Sequence, residues 1–168
     1  MSIIYYIINY ANRIKTVDSQ LIFRKSSVIY MTKDVLITVS GRQFDVGDEP
    51  VVLVTRGNYY QKNGKHYVLY EEQPDEHEGV IKNRIKFYDG NFEMVKNGAV
   101  SSALKFCIDE KSESIYRTAV GDVLMEVLTS AIDISTTEDK MCVTVKYKLH
   151  INGQFISNCE VEILIEST

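Results

Sequence analysis

The side chains that could do chemistry are few: Glu71 and Glu72, His66, His77 and His150, Cys107, Cys142 and Cys159, and a set of tyrosines. The two glutamates close the stretch Arg56–Glu72, RGNYYQKNGKHYVLYEE. In a strand, neighbours point to opposite faces, so Glu71 and Glu72 cannot serve as a paired acid and base. One of them can lie inside a sheet fold, held by a cation such as Arg56, Lys82 or Lys96. The blander alternative is a solvated pair between Arg56 and Glu71, which is worth little. Most charges on strands are solvated, so the surface pair carries more weight.

Tyr59, Tyr60, Tyr67, Tyr70, Tyr116 and Tyr147 suit either of two roles. They can line a ligand cavity with aromatic walls and hydroxyl tips, or fill a core and pair across strands. Tyrosine commonly sits in sheets in the second way, and that reading weighs more. The histidines are scattered. Asp75, Glu76, His77 and Glu78 are consecutive in an acidic loop, which makes a poor cage for a hard cation. Ser101 and Ser102 lack a GxSxG elbow and a placed histidine. The glycines serve turns, and no phosphate-cradling loop is present. No metal, cofactor or catalytic set is expected from these residues. The three cysteines have no CxxC or Cys/His spacing and read as free thiols in a reducing compartment, the cytoplasm.

The elements that must position these groups are strands. Asn63-Gly64 suits the positive φ angles of a two-residue hairpin turn. Its register faces Lys62 with Lys65, Tyr60 with Tyr67, Gly57 with Tyr70 and Arg56 with Glu71. Residues 80–88 alternate Ile81, Ile85 and Phe87 against Lys82, Arg84 and Lys86. Asp89-Gly90 then sets Phe87 against Phe92, Ile85 against Met94 and Lys86 against Glu93, favourable pairs on both faces. A further turn at Asn97-Gly98 places Lys96 beside Ala99, Met94 beside Ser101 and Phe92 beside Ala103, so small residues flank large ones and leave space.

Ile108–Ser114 reads as a charged loop, and Gly121-Asp122 as a turn or bulge. At Asn152-Gly153 a two-residue loop would mix the faces of the flanking strands. A three-residue loop with a bulge is expected instead, aligning Leu149 with Phe155 and Val145 with Cys159, with Gly153 left-handed. Together these segments make an all-β antiparallel meander of about eight to ten strands, and closing it into a barrel removes its edges.

The chain of 168 residues is long enough for one domain with a sizeable core. Its 45% hydrophobic and 25% charged content is ordinary for a globular protein, and no apolar run reaches the length of a membrane span. Residues 1–30 sum to +3, leaving −7 for residues 31–168. An acidic body speaks against a nucleic-acid partner. Residues 1–30 show no clean period and no signal-peptide pattern, while Met31-Thr32-Lys33-Asp34 leads straight into a strand. The expectation is an extension over 1–30, with Met31 as the natural start, and a barrel domain over 31–168.

TRGNYYQKNGKHYVLYEE resembles a "T-x-G-x-Y-Y…Y-L-x-Y-E-E" opening, and KNRIKFYDGNFEMVKNGAV a "K-x-K…R-x-G" segment. IYRTAVGDVLMEVLTSAIDI is similar to "Y-x-T-x-x-G-x-L…T", and VTVKYKLHINGQ to a closing "Y-x-L…G". In this order, over about residues 33–166, they resemble the YwiB-like bacterial proteins, a calycin family of lipocalin-like β-barrels with no established function. Lys96 stands where the family commonly has arginine, which keeps the charge and loses the planar fork. The resemblance implies a cytoplasmic, non-catalytic barrel. Binding of a small apolar or amphipathic molecule follows from calycin relatives at the level of the fold. Candidate ligand-binding residues are Tyr59, Tyr70, Glu72, Phe92, Met94, Lys96, Tyr116 and Tyr147. The alternative is an interaction module with a filled barrel that meets a protein partner through its outer face, with Asp75–Glu78 the candidate contact.

Overall fold

Among the described residues, alternating runs separated by turns build ten antiparallel strands: β1 (Lys33–Gln43), β2 (Gly47–Lys62), β3 (Lys65–Glu72), β4 (Ile81–Tyr88), β5 (Asn91–Gly98), β6 (Ser102–Cys107), β7 (Lys111–Thr118), β8 (Gly121–Thr136), β9 (Lys140–Ile151) and β10 (Gln154–Ser167). The computed structural model describes residues 33–74 and 79–168. The expected extension over residues 1–30, the Met31 start and the acidic loop Asp75–Glu78 lie outside the described residues. No helix among the described residues is long and apolar enough to cross a membrane.

The strands run in one sheet ordered β6-β5-β4-β3-β2-β1-β10-β9-β8-β7. The first strand pairs with the last, from Val35–Ser167 to Gln43–Cys159. The ends of the sheet, β6 and β7, then face each other. They meet at a single bridge, where Ser101 and Arg117 exchange backbone hydrogen bonds of 3.1 and 2.9 Å. Farther along, the Ala103 amide donates to Ser114 Oγ at 3.2 Å in place of a backbone carbonyl. The result is a nearly closed barrel with its one loose seam between β6 and β7. The inward stripe of most strands is apolar over most of its length, with Ile37, Val68, Ile85, Val127, Val145 and Ile163 fully buried, while β7 sets Ser112, Ser114 and Thr118 in line with its inward Tyr116.

The first two turns follow the expected register. Lys62 faces Lys65, Tyr60 faces Tyr67 and Gly57 faces Tyr70, around Asn63 and Gly64 at φ 51° and 72°. The Tyr60 and Tyr67 rings stack on the outer face, 4.8 Å apart. Phe87–Phe92, Ile85–Met94 and Lys86–Glu93 pair around Asp89-Gly90 as expected. The β2–β3 ladder stops at Gly57–Tyr70, however, and Arg56 pairs with Leu36 while Glu71 pairs with Lys82.

Three later expectations are corrected. Asn97 and Gly98 do not turn, because β4 holds them in its ladder opposite Lys82 and Ile81. Gly98 takes φ 136°, and a Cβ there would overlap the Val80 carbonyl oxygen. The chain turns only beyond it, so Phe92 faces Phe106, Met94 faces Leu104 and Lys96 faces Ser102. The small-beside-large pattern of Ala99, Ser101 and Ala103 therefore does not exist. The expected loop over 108–114 is shorter, since β7 begins at Lys111, and the next turn is Ala119-Val120 between Thr118 and Gly121.

The third correction concerns Asn152-Gly153, which is a two-residue turn with both residues at positive φ, 50° and 79°. It stays tight because Asn152 also bridges β8: its amide donates to Leu124 O at 2.9 Å, and its Oδ1 accepts from the Leu124 amide at 3.2 Å. The face mismatch is absorbed farther along, at a bulge between Phe155 and Ser157. The ladder resumes with Leu149 opposite Ser157 and Tyr147 opposite Cys159. The inward parity of Cys159, Val161 and Ile163 is as expected, but the shift runs in the opposite sense. Phe155 consequently points outward at 46% exposure, while Ser157 is buried.

Candidate functional site

Strands β3 to β6 lay their inward side chains in rows, because each ladder sets one inward residue opposite the next. The first row is His66–Phe87–Phe92–Phe106. It is aromatic throughout: His66 stacks on Phe87 at 4.9 Å, and Phe92 meets Phe106 edge-on at 5.6 Å. The second row, Val68–Ile85–Met94–Leu104, is aliphatic. The third, Tyr70–Asn83–Lys96–Ser102, is polar. Glu72 follows Tyr70 two residues on, so it points inward one step farther along the same strand.

Glu72 is 5% exposed, and Lys96 reaches it across β4. The ammonium donates to the two carboxylate oxygens at 3.0 and 3.1 Å. Tyr70 is held protonated, its phenol pushed well up by burial, then by the negative charge of Glu72 and by a hydrogen bond to that carboxylate. Tyr116 on β7 is also raised, chiefly by burial and then by Glu72. One carboxylate thus gathers a cation and two neutral phenols from three strands, β3, β5 and β7.

Asn83 completes the polar row between Tyr70 and Lys96. It is 3% exposed, and its Nδ2 donates to the Ile81 carbonyl at 3.3 Å. That contact fixes the amide orientation, because the flipped rotamer would set two oxygens against each other. Asn83 Oδ1 is left buried without a partner, as is Thr129 Oγ1 opposite Tyr147 on another wall of the barrel. Leaving such a group unsatisfied costs about 1–3 kcal/mol.

Of the candidate residues, Tyr70, Glu72, Lys96 and Tyr116 come together, with Met94 in the aliphatic row beside them. Phe92 and Tyr147 belong to an aromatic chain in which Phe106 touches both, at 5.6 and 5.0 Å. This chain reaches from β5 to β9 and fills the interior there. Burial drives the Tyr147 phenol up, and its partner Cys159 is raised to about 11 by its own burial. Tyr59 stands apart, its hydroxyl 2.8 Å from His66 Nδ1. The weightier sequence reading, a surface pair of Arg56 with Glu71, gives way to a buried pair of Lys96 with Glu72.

Sequence reasoning missed Asn83 and Ser102. Asn83 carried a signal: it interrupts the inward series Ile81, Ile85, Phe87 with a polar amide. Ser102 carried none, because the β5–β6 register had to be known first. Among the described residues no group of three or more histidines, cysteines, aspartates and glutamates is placed to hold a metal ion.

Three comparisons place these features among known proteins. A domain of unknown function, DUF1934, matches residues 37–163. The uncharacterized β-barrel protein YwiB of Bacillus subtilis (strain 168) is 26% identical over 110 residues, covering 66% of this chain and 76% of that protein. The crystal structure of ywiB protein from Bacillus subtilis superimposes with a TM-score of 0.70 at 22% identity, covering 82% of this chain and 93% of that one. The likeness to YwiB read from the motifs is thereby borne out, and so is the antiparallel barrel.

Proposed function

The chain belongs to the DUF1934 family of domains of unknown function, and on that premise we propose that it is a non-enzymatic binding protein whose barrel takes a small amphipathic molecule. The observation that carries this reading is the polar row set inside an apolar barrel, with the buried Asn83 Oδ1 unpartnered. A barrel filled only for stability has no use for a buried ion pair and a free acceptor, since apolar residues of similar volume serve as well or better. The graded rows suit a molecule with an apolar body beside Met94 and Leu104 and a polar head at Asn83.

Related readings go with this one. The barrel is of the calycin type, and the protein works in the cytoplasm, in keeping with the free thiols Cys107, Cys142 and Cys159. No nucleic acid is a partner, in keeping with the acidic body.

Native mass spectrometry of gently purified protein tests the proposal. The expected result is a co-purifying small amphipath that is released on denaturation. Protein at its bare mass, with no thermal shift from any amphipath offered, overturns it. The other reading, a protein-interaction module, is favoured by exposed apolar residues on two turns at one end of the barrel: Phe44 and Val46 on one, Val120, at 90% exposure, on the other. Charge substitutions at Phe44 and Val120 abolish association with a partner under that reading and leave small-molecule binding intact under the first.

A further inference from the structure

The charge balance of the polar row restricts which head group the barrel accepts, given the binding function proposed above. On the inward face of the polar row the buried Glu72 meets the partly buried Lys96, and they neutralise each other at 3.0 and 3.1 Å. The other buried acid, Glu126, lies on the outer face, where Lys111 pairs with it. Beside the inner pair stands an acceptor with no donor, Asn83 Oδ1, with its amide nitrogen already engaged by Ile81 O.

A carboxylate arriving there meets Glu72 and an amide oxygen, both repulsive, and must compete for a lysine already shared between two oxygens. An ammonium can donate to Asn83, but the attraction of Glu72 is offset by the repulsion of Lys96, so its charge is buried beside an already neutral pair with no counter-ion of its own. A neutral hydroxyl or amide N–H satisfies Asn83 Oδ1 and disturbs neither charge. We infer that the site selects an amphipath with an uncharged hydrogen-bond-donating head, a hydroxyl or a primary amide, over one with a carboxylate or an ammonium. The flanking phenols Tyr70 and Tyr116 stay neutral and add no charge to this balance.

Four ligands with the same ten-carbon chain, decanol, decanamide, decanoate and decylamine, separate the possibilities when their binding to the full chain is compared by competition at neutral pH. The expected result is that decanol and decanamide bind about tenfold or more tightly than the two charged ligands, as one buried hydrogen bond warrants. Asn83→Leu should remove most of that preference, and Glu72→Gln, which frees Lys96, should shift it toward decanoate. Equal binding of all four, or decanoate binding best to the unaltered protein, overturns the inference and leaves the binding function standing. Binding of none overturns both. The comparison of ligands on the unaltered protein decides the matter even if a variant fails to fold.

Discussion

Lys96 sets its ammonium 3.0 and 3.1 Å from the two carboxylate oxygens of Glu72, although the two residues stand on β5 and β3 with β4 between them. Neighbouring strands lie about 4.8 Å apart, so the contact spans roughly 10 Å of sheet, which the two side chains bridge together, each reaching part of the way. The partners are unequally buried: the Glu72 side chain is 6% exposed and that of Lys96 18%.

That inequality predicts an asymmetric response to substitution. Lys96→Met leaves Glu72 buried without its cation, and should cost about 3 kcal/mol of stability, as removing one partner of a buried pair does. Glu72→Gln should cost less, because the lysine can turn toward water. The double variant Glu72→Gln/Lys96→Met should recover much of the loss. Denaturant unfolding at neutral pH measures all three. Losses that simply add would contradict a mutual pair.

Why the sequence revealed the hairpins but not the site follows from what each depends on. Asn63-Gly64 and Asp89-Gly90 fix their registers within a few residues, and the pairs Tyr60–Tyr67 and Phe87–Phe92 are local consequences. Asn97-Gly98 has the same dipeptide, but its conformation is decided by Ile81 and Lys82 on the neighbouring strand. Asn152-Gly153 is decided partly by Leu124 on β8, and its bulge is displaced to where Asp45 docks. The candidate site depends on all the β3–β6 registers at once. Lys96 meeting Glu72 is a relation among three strands, beyond the reach of a dipeptide rule.

Gly57 carries a different kind of constraint. It lies inside β2 opposite both Val35 and Tyr70. A Cβ there would overlap Ile37 Cδ1 and the Leu69 carbonyl oxygen, and would sit 3.1 Å from Tyr70 Cβ. Backbone cannot give way as a side-chain tip can, so Gly57→Ala should destabilise by about 2–3 kcal/mol. Gly41 on β1 has open space within 4 Å and no positive φ. Gly41→Ala should be neutral or raise stability by up to about 1 kcal/mol, through the unfolded chain. Thermal unfolding of the two variants side by side checks the contrast, and a similar loss in both would refute it.

Asp45 ties the β1–β2 turn onto the bulged start of β10 and makes part of the stability depend on pH. Its Oδ2 accepts from the Asn158 amide at 2.7 Å, from Asn158 Nδ2 at 3.0 Å and from Ser157 Oγ at 3.2 Å. The carboxyl is held below its ordinary value of 3.8, chiefly by the Asn158 backbone amide. Desolvation opposes that shift, and the Asn158 and Ser157 side chains assist it. A lowered folded value means that the contribution is fully present above the unfolded value and is lost as pH falls from there through the folded one. Asp45→Asn removes the titration while keeping the shape. The stability difference between the unaltered protein and this variant should therefore be constant near neutrality and shrink as pH falls below about 4. Glu93 and Glu126 are also lowered by their cationic partners and titrate in the same region, but they are common to both proteins and cancel in the difference. Denaturant midpoints measured from pH 7 to pH 3 read this difference directly, and a gap that widens toward acid would rule out the clamp as the source.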